Sequence, residues 1–186
     1  ARVLNRVVSW QEHGLAYEAD PRQHEKLIRE LGLEGSKSVG TPCVKHSSEE
    51  IARDEELLEH KITHFRGLAA RGNYLSADRP DCQYAAKEVC RFMAKPTEMS
   101  VQDMKRLARY LLGKPRLVYE YPWQSADAID VYSDTDWAGC LKTRKSTSGG
   151  CALFGKHLVK SWSSTQPTIS LSSGEAVMVG VTKAMP

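Results

Sequence analysis

The chain is poor in the features that announce disulfide-rich, zinc-binding or membrane proteins. Its five cysteines (Cys43, Cys82, Cys90, Cys140, Cys151) are odd in number and form no Cys-x-x-Cys pair. The six histidines, His13, His24, His46, His60, His64 and His157, show no clustered ligand spacing. Both facts argue against a disulfide framework or a zinc site, and reduced packing cysteines in an intracellular protein are expected. No apolar run approaches the roughly 18–20 residues that span a bilayer. The amino terminus has neither the apolar region of a signal peptide nor an initiating Met, and the carboxyl end stops inside an apolar, helix-like stretch, so both ends read as truncations. No repeat or low-complexity segment is visible. The expected setting is cytoplasmic or nuclear, with no membrane partner.

What is present is a globular composition, 41% hydrophobic and 26% charged, with an uneven charge distribution beneath a net +3. Residues 47–59 carry six acids against one base, whereas residues 61–119 carry twelve Lys and Arg against five acids. A basic block of that size suggests a polyanionic partner such as nucleic acid, although basic residues also solvate helix faces, so placement decides.

Residues 2–19 alternate loosely in hydropathy around Gly14, which predicts a strand pair with its turn there. Asp20-Pro21 reads as a helix start, with Asp as cap and Pro at the first helical position, and Gly32 ends that helix. The acidic stretch that follows predicts an exposed linker or short helix. Between His64 and Leu112 the apolar spacing predicts three helices. In the second, Ala85, Ala86, Val89, Cys90, Phe92 and Met93 share the inner side, and Lys87, Arg91 and Lys95 form an outer basic stripe. In the third, capped by Thr97 or Ser100, Met104, Leu107, Ala108 and Leu111 face inward while Lys105, Arg106 and Arg109 face out. These six cations are the first candidate contacts to nucleic acid.

After Lys114-Pro115 the period changes to two. Strands are predicted at 117–121, 128–132, 150–154 and 158–162, with short connections that imply antiparallel pairing, and a helix over 170–184 capped by Ser172 or Ser173. The chemistry concentrates between the second and third of these strands. A β-branched and aromatic run feeds the acidic turn Asp134-Thr135-Asp136, and the loop Arg144-Lys145-Ser146-Thr147-Ser148-Gly149 follows. Carboxylates at a strand end suit a hard cation. A loop of Arg, Lys, Ser and Thr suits phosphate. A plain hairpin with a charged loop explains the same composition.

The segments Tyr132-Ser133-Asp134-Thr135-Asp136-Trp137-Ala138-Gly139, Arg144 to Gly149, Trp162-Ser163-Ser164, Gln166-Pro167 and Ser172-Ser173-Gly174-Glu175-Ala176 together resemble the ribonuclease H domain of copia-type LTR-retrotransposon Pol polyproteins. Upstream, Phe65-Arg66-Gly67, Asn73-Tyr74-Leu75, Arg79-Pro80-Asp81 and Lys105 to Leu111 resemble the segment joining polymerase to nuclease. Leu4-Asn5-Arg6 and Tyr17 to Pro21 resemble the distal end of the reverse transcriptase. The resemblance covers nearly the whole chain in one order.

It implies an α+β chain in which a helical connection precedes a partial ribonuclease H-like mixed sheet. The implied divisions are a reverse-transcriptase-like strand and helix piece at 1–46, an acidic linker at 47–60, a basic helical connection at 61–114 and the partial nuclease domain at 115–186. The implied activity is cleavage of the RNA strand of an RNA–DNA hybrid with two magnesium ions about 4 Å apart, held by several carboxylates. Asp134 is the implied catalytic and metal-binding residue, and Asp136 is read as a turn residue. The family pattern Ser-Ser-x-Glu-Ala-Glu places its metal-binding Glu where this chain has Val177. Glu175 lies two residues earlier, rotated by about 200° on a helix, and is a doubtful substitute. The implied partners are RNA–DNA hybrid or duplex nucleic acid, reached also by Arg144 and Lys145, and the remainder of the polyprotein. Ser146, Thr147 and Ser148 are open to phosphate-binding or turn-forming roles, and Trp137 and Trp162 are read as core. The isolated chain is expected to be catalytically incomplete, and the alternative is a decayed, non-catalytic remnant that binds nucleic acid through its basic helices.

Overall fold

The computed structural model describes residues 1–184, so Met185 and Pro186, the end of the expected 115–186 domain, lie outside the described residues. The chain is α+β and divides into two compact units. One comprises Ala1–Trp10 and Ala16–Tyr119, the other Gln11–Leu15 and the chain from Glu120 onward.

The first unit is helical at its centre. Strands β1 (Arg2–Val3), β2 (Arg6–Gln11), β3 (Gly14–Glu18) and β4 (Val118–Pro122) form a sheet in the order β1-β2-β3-β4. The turn sits at Glu12-His13, and Gly14 opens β3 instead of making the turn. Helix α1 (Pro21–Glu30) begins as the sequence predicts. Asp20 caps it by accepting the Arg22 N–H, and Pro21 occupies the first turn, where its missing N–H costs nothing. Gly32, at φ +64°, ends it in the left-handed region open to glycine. The acidic stretch forms α2 (Ser48–Ala52), held by a reciprocal Ser47–Glu50 capping box.

Helices α3 (Glu59–Ser76), α4 (Pro80–Cys90) and α5 (Glu98–Gly113) match the three predicted helices. Thr97 caps α5 and Ser100 reciprocates, so both candidate caps are used. Leu27 and Ile28 of α1 share one core with Phe65, Leu68, Ala85, Val89, Met104, Leu107 and Leu111. The amino-terminal helix and the connection helices therefore bury their apolar stripes against each other. Helix α4 stops at Cys90, so Phe92 and Met93 pack on that core from the turn that follows.

A buried polar hub fixes the α3–α4 corner. Arg79, 1% exposed, pairs with Asp81 through Nε (2.9 Å) and Nη2 (2.7 Å) and donates to the Lys114 carbonyl (2.8 Å). Tyr110 donates its hydroxyl to Asp81 at 3.0 Å. Burial alone would raise the Asp81 carboxyl, but Arg79 and the Tyr110 hydroxyl outweigh it and hold Asp81 below the ordinary range. Burial pushes the neighbouring Cys82 thiol up to about 12, which suits a packing cysteine.

The second unit carries strands β5 (Ile129–Asp136), β6 (Thr147–Phe154) and β7 (His157–Thr165) in the order β5-β6-β7, followed by α6 (Ser173–Ala184). Both pairings are antiparallel, with Asp134 opposite Gly149 and Gly149 opposite Ser163. The mixed sheet expected from the sequence is thus corrected to an antiparallel one among the described residues, as short β5–β6 and β6–β7 connections require. Each strand is longer than its apolar run predicts, because Ser, Thr and Gly extend the ladder beyond it. Helix α6 packs on β5 and β6.

Candidate functional site

The turn after β5 is built from side chains that satisfy backbone groups. Asp136, the last residue of β5, accepts the Thr147 N–H at 2.5 Å through Oδ1. Its carboxylate fills the space that a Cβ on residue 139 would need, so a larger residue there would displace it. Ala138 sits at φ +52°, a conformation that costs a non-glycine residue about 1–2 kcal/mol. Its N–H donates to the fully buried Ser146 hydroxyl at 3.0 Å, which holds it there. The loop from Cys140 to Lys145 is closed by Arg144 N–H to Cys140 C=O (2.7 Å) and Cys140 N–H to Lys145 C=O (3.2 Å).

Gln166 ties this sheet to α6. Its N–H donates to the Ser146 carbonyl at 2.8 Å, and its side-chain Nε2 donates to Ser148 Oγ (2.9 Å) and the Ala176 carbonyl (2.8 Å). Its Oε1 accepts from Ser170 Oγ at 3.1 Å. With 3% exposure, this amide is buried and satisfied on every side. In the sequence Gln166 is visible only as part of the Gln166-Pro167 motif. The signal that could have revealed it is a lone Gln between apolar and hydroxyl residues, just before a helix cap. Close approach of α6 is completed by Gly180, whose Cα lies against the hydroxyls of Thr135, Ser133 and Ser148.

Asp134 lies between Ser133 and Thr135, the two residues that face Gly180. The two-residue period of a strand therefore turns Asp134 to the opposite face of the sheet, where it is exposed. Glu175 is engaged elsewhere. Its Oε2 accepts the Leu171 N–H at 2.7 Å, while Ser172 Oγ accepts the Glu175 N–H at 3.2 Å, so the two residues cap α6. Ala176 is fully buried and Val177 is 48% exposed. Among the described residues, no three His, Cys, Asp or Glu side chains come together as metal ligands. A two-magnesium centre does not fit the carboxylates this chain places here.

The candidate nucleic-acid contacts separate into two groups. On the helices, Lys87 pairs with Glu88 at 2.5 Å and lies 4.5 Å from the Tyr84 ring centre. Arg91 pairs with Glu88 (2.9 Å), and Lys95 pairs with Glu56 (3.4 Å). Arg106 donates to Thr41 Oγ1 (2.7 Å) and Arg109 to the Lys37 carbonyl (2.7 Å). His46 and Asp103 meet at 2.8 Å and fasten the same 37–46 segment to α5. Much of the outer stripe is thereby spent on the chain's own acids and carbonyls, and of the six only Lys105 makes no side-chain interaction among the described residues. In the second unit, the side chains of Lys142, Arg144 and Lys145 likewise pair with nothing among the described residues. Ser146 and Ser148, offered by the sequence as phosphate contacts, are 0% exposed and act within the turn.

The two tryptophans also differ from the core reading. Trp162 is half-buried, with its ring against Gly150. Trp137 is 50% exposed, with its Nε1–H anchored to the Ser170 carbonyl at 3.0 Å. No helix of the described residues is long and apolar enough to cross a membrane.

No family model matches the chain, and no solved structure matches it. It is similar to an uncharacterized mitochondrial protein of Arabidopsis thaliana, 33% identical over 154 residues, covering 81% of this chain and 62% of that protein. It is also similar to the retrovirus-related Pol polyproteins from transposons RE1 and RE2 of the same plant. These are 33% and 36% identical over 151 residues, again 81% of this chain. The chain spans about a tenth of the length of those polyproteins. With these identities over about four fifths of its length, the chain belongs to the Pol polyprotein family of copia-type retrotransposons.

Proposed function

We propose that this chain is a segment of a Pol polyprotein whose parent copies RNA into DNA and cleaves the RNA strand of RNA–DNA hybrids. Its last third supplies the opening of a ribonuclease H-like fold without the carboxylates to cleave. The observation that carries this reading is the pairing of an intact scaffold with an unfilled ligand position. The Asp136–Gly139 turn and the Gln166 clamp are fully formed, whereas Val177 stands exposed where the family pattern has Glu. Asp134 keeps the position of the first catalytic carboxylate at the end of β5, and magnesium is the cofactor of the parent reaction. One carboxylate cannot hold two such ions, because each needs about six oxygen donors. Glu175 is committed to the helix cap and does not replace the missing ligand.

A second reading, retained nucleic-acid binding in a cytoplasmic or nuclear setting, is favoured by Lys142, Arg144 and Lys145, whose side chains have no partner among the described residues. It is compatible with the first.

The test is magnesium-dependent cleavage of an end-labelled RNA–DNA hybrid. The chain is expected to leave the hybrid intact, and a longer protein running past residue 186 is expected to cut only when it carries Val177→Glu. Cleavage by the chain itself that Asp134→Asn abolishes would overturn the incompleteness. Equal cutting by the longer protein with and without Val177→Glu would show that residue 177 is not the ligand position.

A further inference from the structure

We infer that Trp137 and the loop that follows it form a binding site for single-stranded nucleic acid, in which an unpaired base stacks on the indole while Lys142, Arg144 and Lys145 neutralise the adjoining phosphates. The inference rests on the nucleic-acid reading above and deepens it by naming the strand and the contact.

Three observations carry it. First, Trp137 is half exposed yet not free to rotate, because its Nε1–H is bound to the Ser170 carbonyl and the next residue is fixed at positive φ by the buried Ser146 hydroxyl. A half-exposed indole anchored by its own polar edge loses little entropy when a base stacks on it. Second, the loop's backbone is closed upon itself at Cys140, Arg144 and Lys145, which keeps the three cations near Cys140. Cys140 is three residues from Trp137, so their Cα atoms lie within about 11 Å. That is about the span of two nucleotides. Third, none of these cations has an acidic partner among the described residues, in contrast to most of the helical stripe. A duplex hides its base faces and would use the cations alone. The exposed indole therefore selects an unpaired strand.

The experiment uses the whole chain with a fluorescent oligo(dT) of about 20 nucleotides, its affinity followed by anisotropy across a salt series. Trp137→Ala is expected to weaken binding roughly tenfold or more with the salt slope unchanged, and Trp137→Phe, which can stack but lacks the Nε1–H anchor to Ser170, to weaken it less than Ala does. Replacing Lys142, Arg144 and Lys145 together with Ala is expected to make the log–log salt slope shallower by about 2. Should Trp137→Ala lose its fold, the unaltered chain is cross-linked to an oligonucleotide carrying 5-iodouracil, and the adduct is expected on Trp137. An adduct elsewhere, or a folded Trp137→Ala chain that binds as the original does, overturns the site. Binding of duplex equally well and independently of Trp137 overturns it too, while leaving the nucleic-acid reading in place. Absence of binding to any nucleic acid at low salt removes both.

Discussion

Gln166 donates its side-chain amide to the buried hydroxyl of Ser148 at 2.9 Å, and through that bond β6 is joined to the segment that leads into α6. Replacing Gln166 with Leu keeps most of the volume but leaves the buried Ser170 hydroxyl without its acceptor and removes the amide's bonds to Ser148 Oγ and the Ala176 carbonyl. Each unsatisfied buried group costs about 1–3 kcal/mol. A loss of about 1–3 kcal/mol in the second unit is expected, read as faster hydrogen exchange across β6 and α6 while the helices of the first unit keep their protection.

Gly139→Ala is expected to expel the Asp136 carboxylate from its seat and break its bond to the Thr147 N–H. The cost is expected to be about 1–2 kcal/mol, set by the loss of the Asp136–Thr147 hydrogen bond as the carboxylate swings away. Gly174→Ala serves as the control, because open space surrounds that position apart from the Ser172 hydroxyl at 3.9 Å. Equal melting temperatures for the two variants would contradict the close approach at Gly139.

Substitutions on α6 should separate exposure from burial within two adjacent residues. Val177→Glu places a carboxylate at a half-exposed site and is expected to change stability by no more than about 0.5 kcal/mol. Ala176→Glu forces a charge into the fully buried contact with the sheet and is expected to unfold the second unit. Urea titration followed by circular dichroism distinguishes the two.

The Asp20 carboxyl is held at about 2, principally by the Arg22 side chain; burial opposes this, and Gln23 and the Arg22 N–H add to the lowering. An unfolded Asp ionises near 3.9. A folded-state value below the unfolded one means that stability is present above about pH 4 and is lost as pH falls toward 2. Asp20→Asn retains the helix cap, because Asn caps as well as Asp. The variant is therefore expected to show a flatter stability profile between pH 4 and 2. A profile unchanged from the original would assign the acid loss to other carboxylates.

Arg106 and Arg109 fasten the 37–46 segment to α5. Replacing both with Ala is expected to raise hydrogen exchange in that segment while altering oligonucleotide affinity by less than twofold. A large fall in affinity with an unchanged segment would return the stripe to the role its sequence suggested.

Local rules were sufficient for much of this molecule. Asp20-Pro21 and Gly32 bound α1, Ser47 and Glu50 make α2, and the spacing of Leu68, Val89, Met104 and Leu107 selects the buried faces, because caps and helical periods depend on neighbours within a few residues. The motifs of the last third were likewise legible as a family pattern. What each motif residue does was not. Ser146 and Ser148 look like phosphate ligands in a one-dimensional string, and only pairing with β5 and with Gln166 buries them. Lys87, Arg91 and Lys95 look like a free stripe until Glu88 and Glu56 meet them, one of those partners lying more than thirty residues away. Trp137 reads as core by residue type, yet its Nε1–H is bound to the Ser170 carbonyl and half of its surface stays exposed. Backbone propensity and period are properties of short segments, so the sequence alone determined the elements. Side-chain partners come from distant segments brought together by burial, so the tertiary structure decided which charges and which rings were left available.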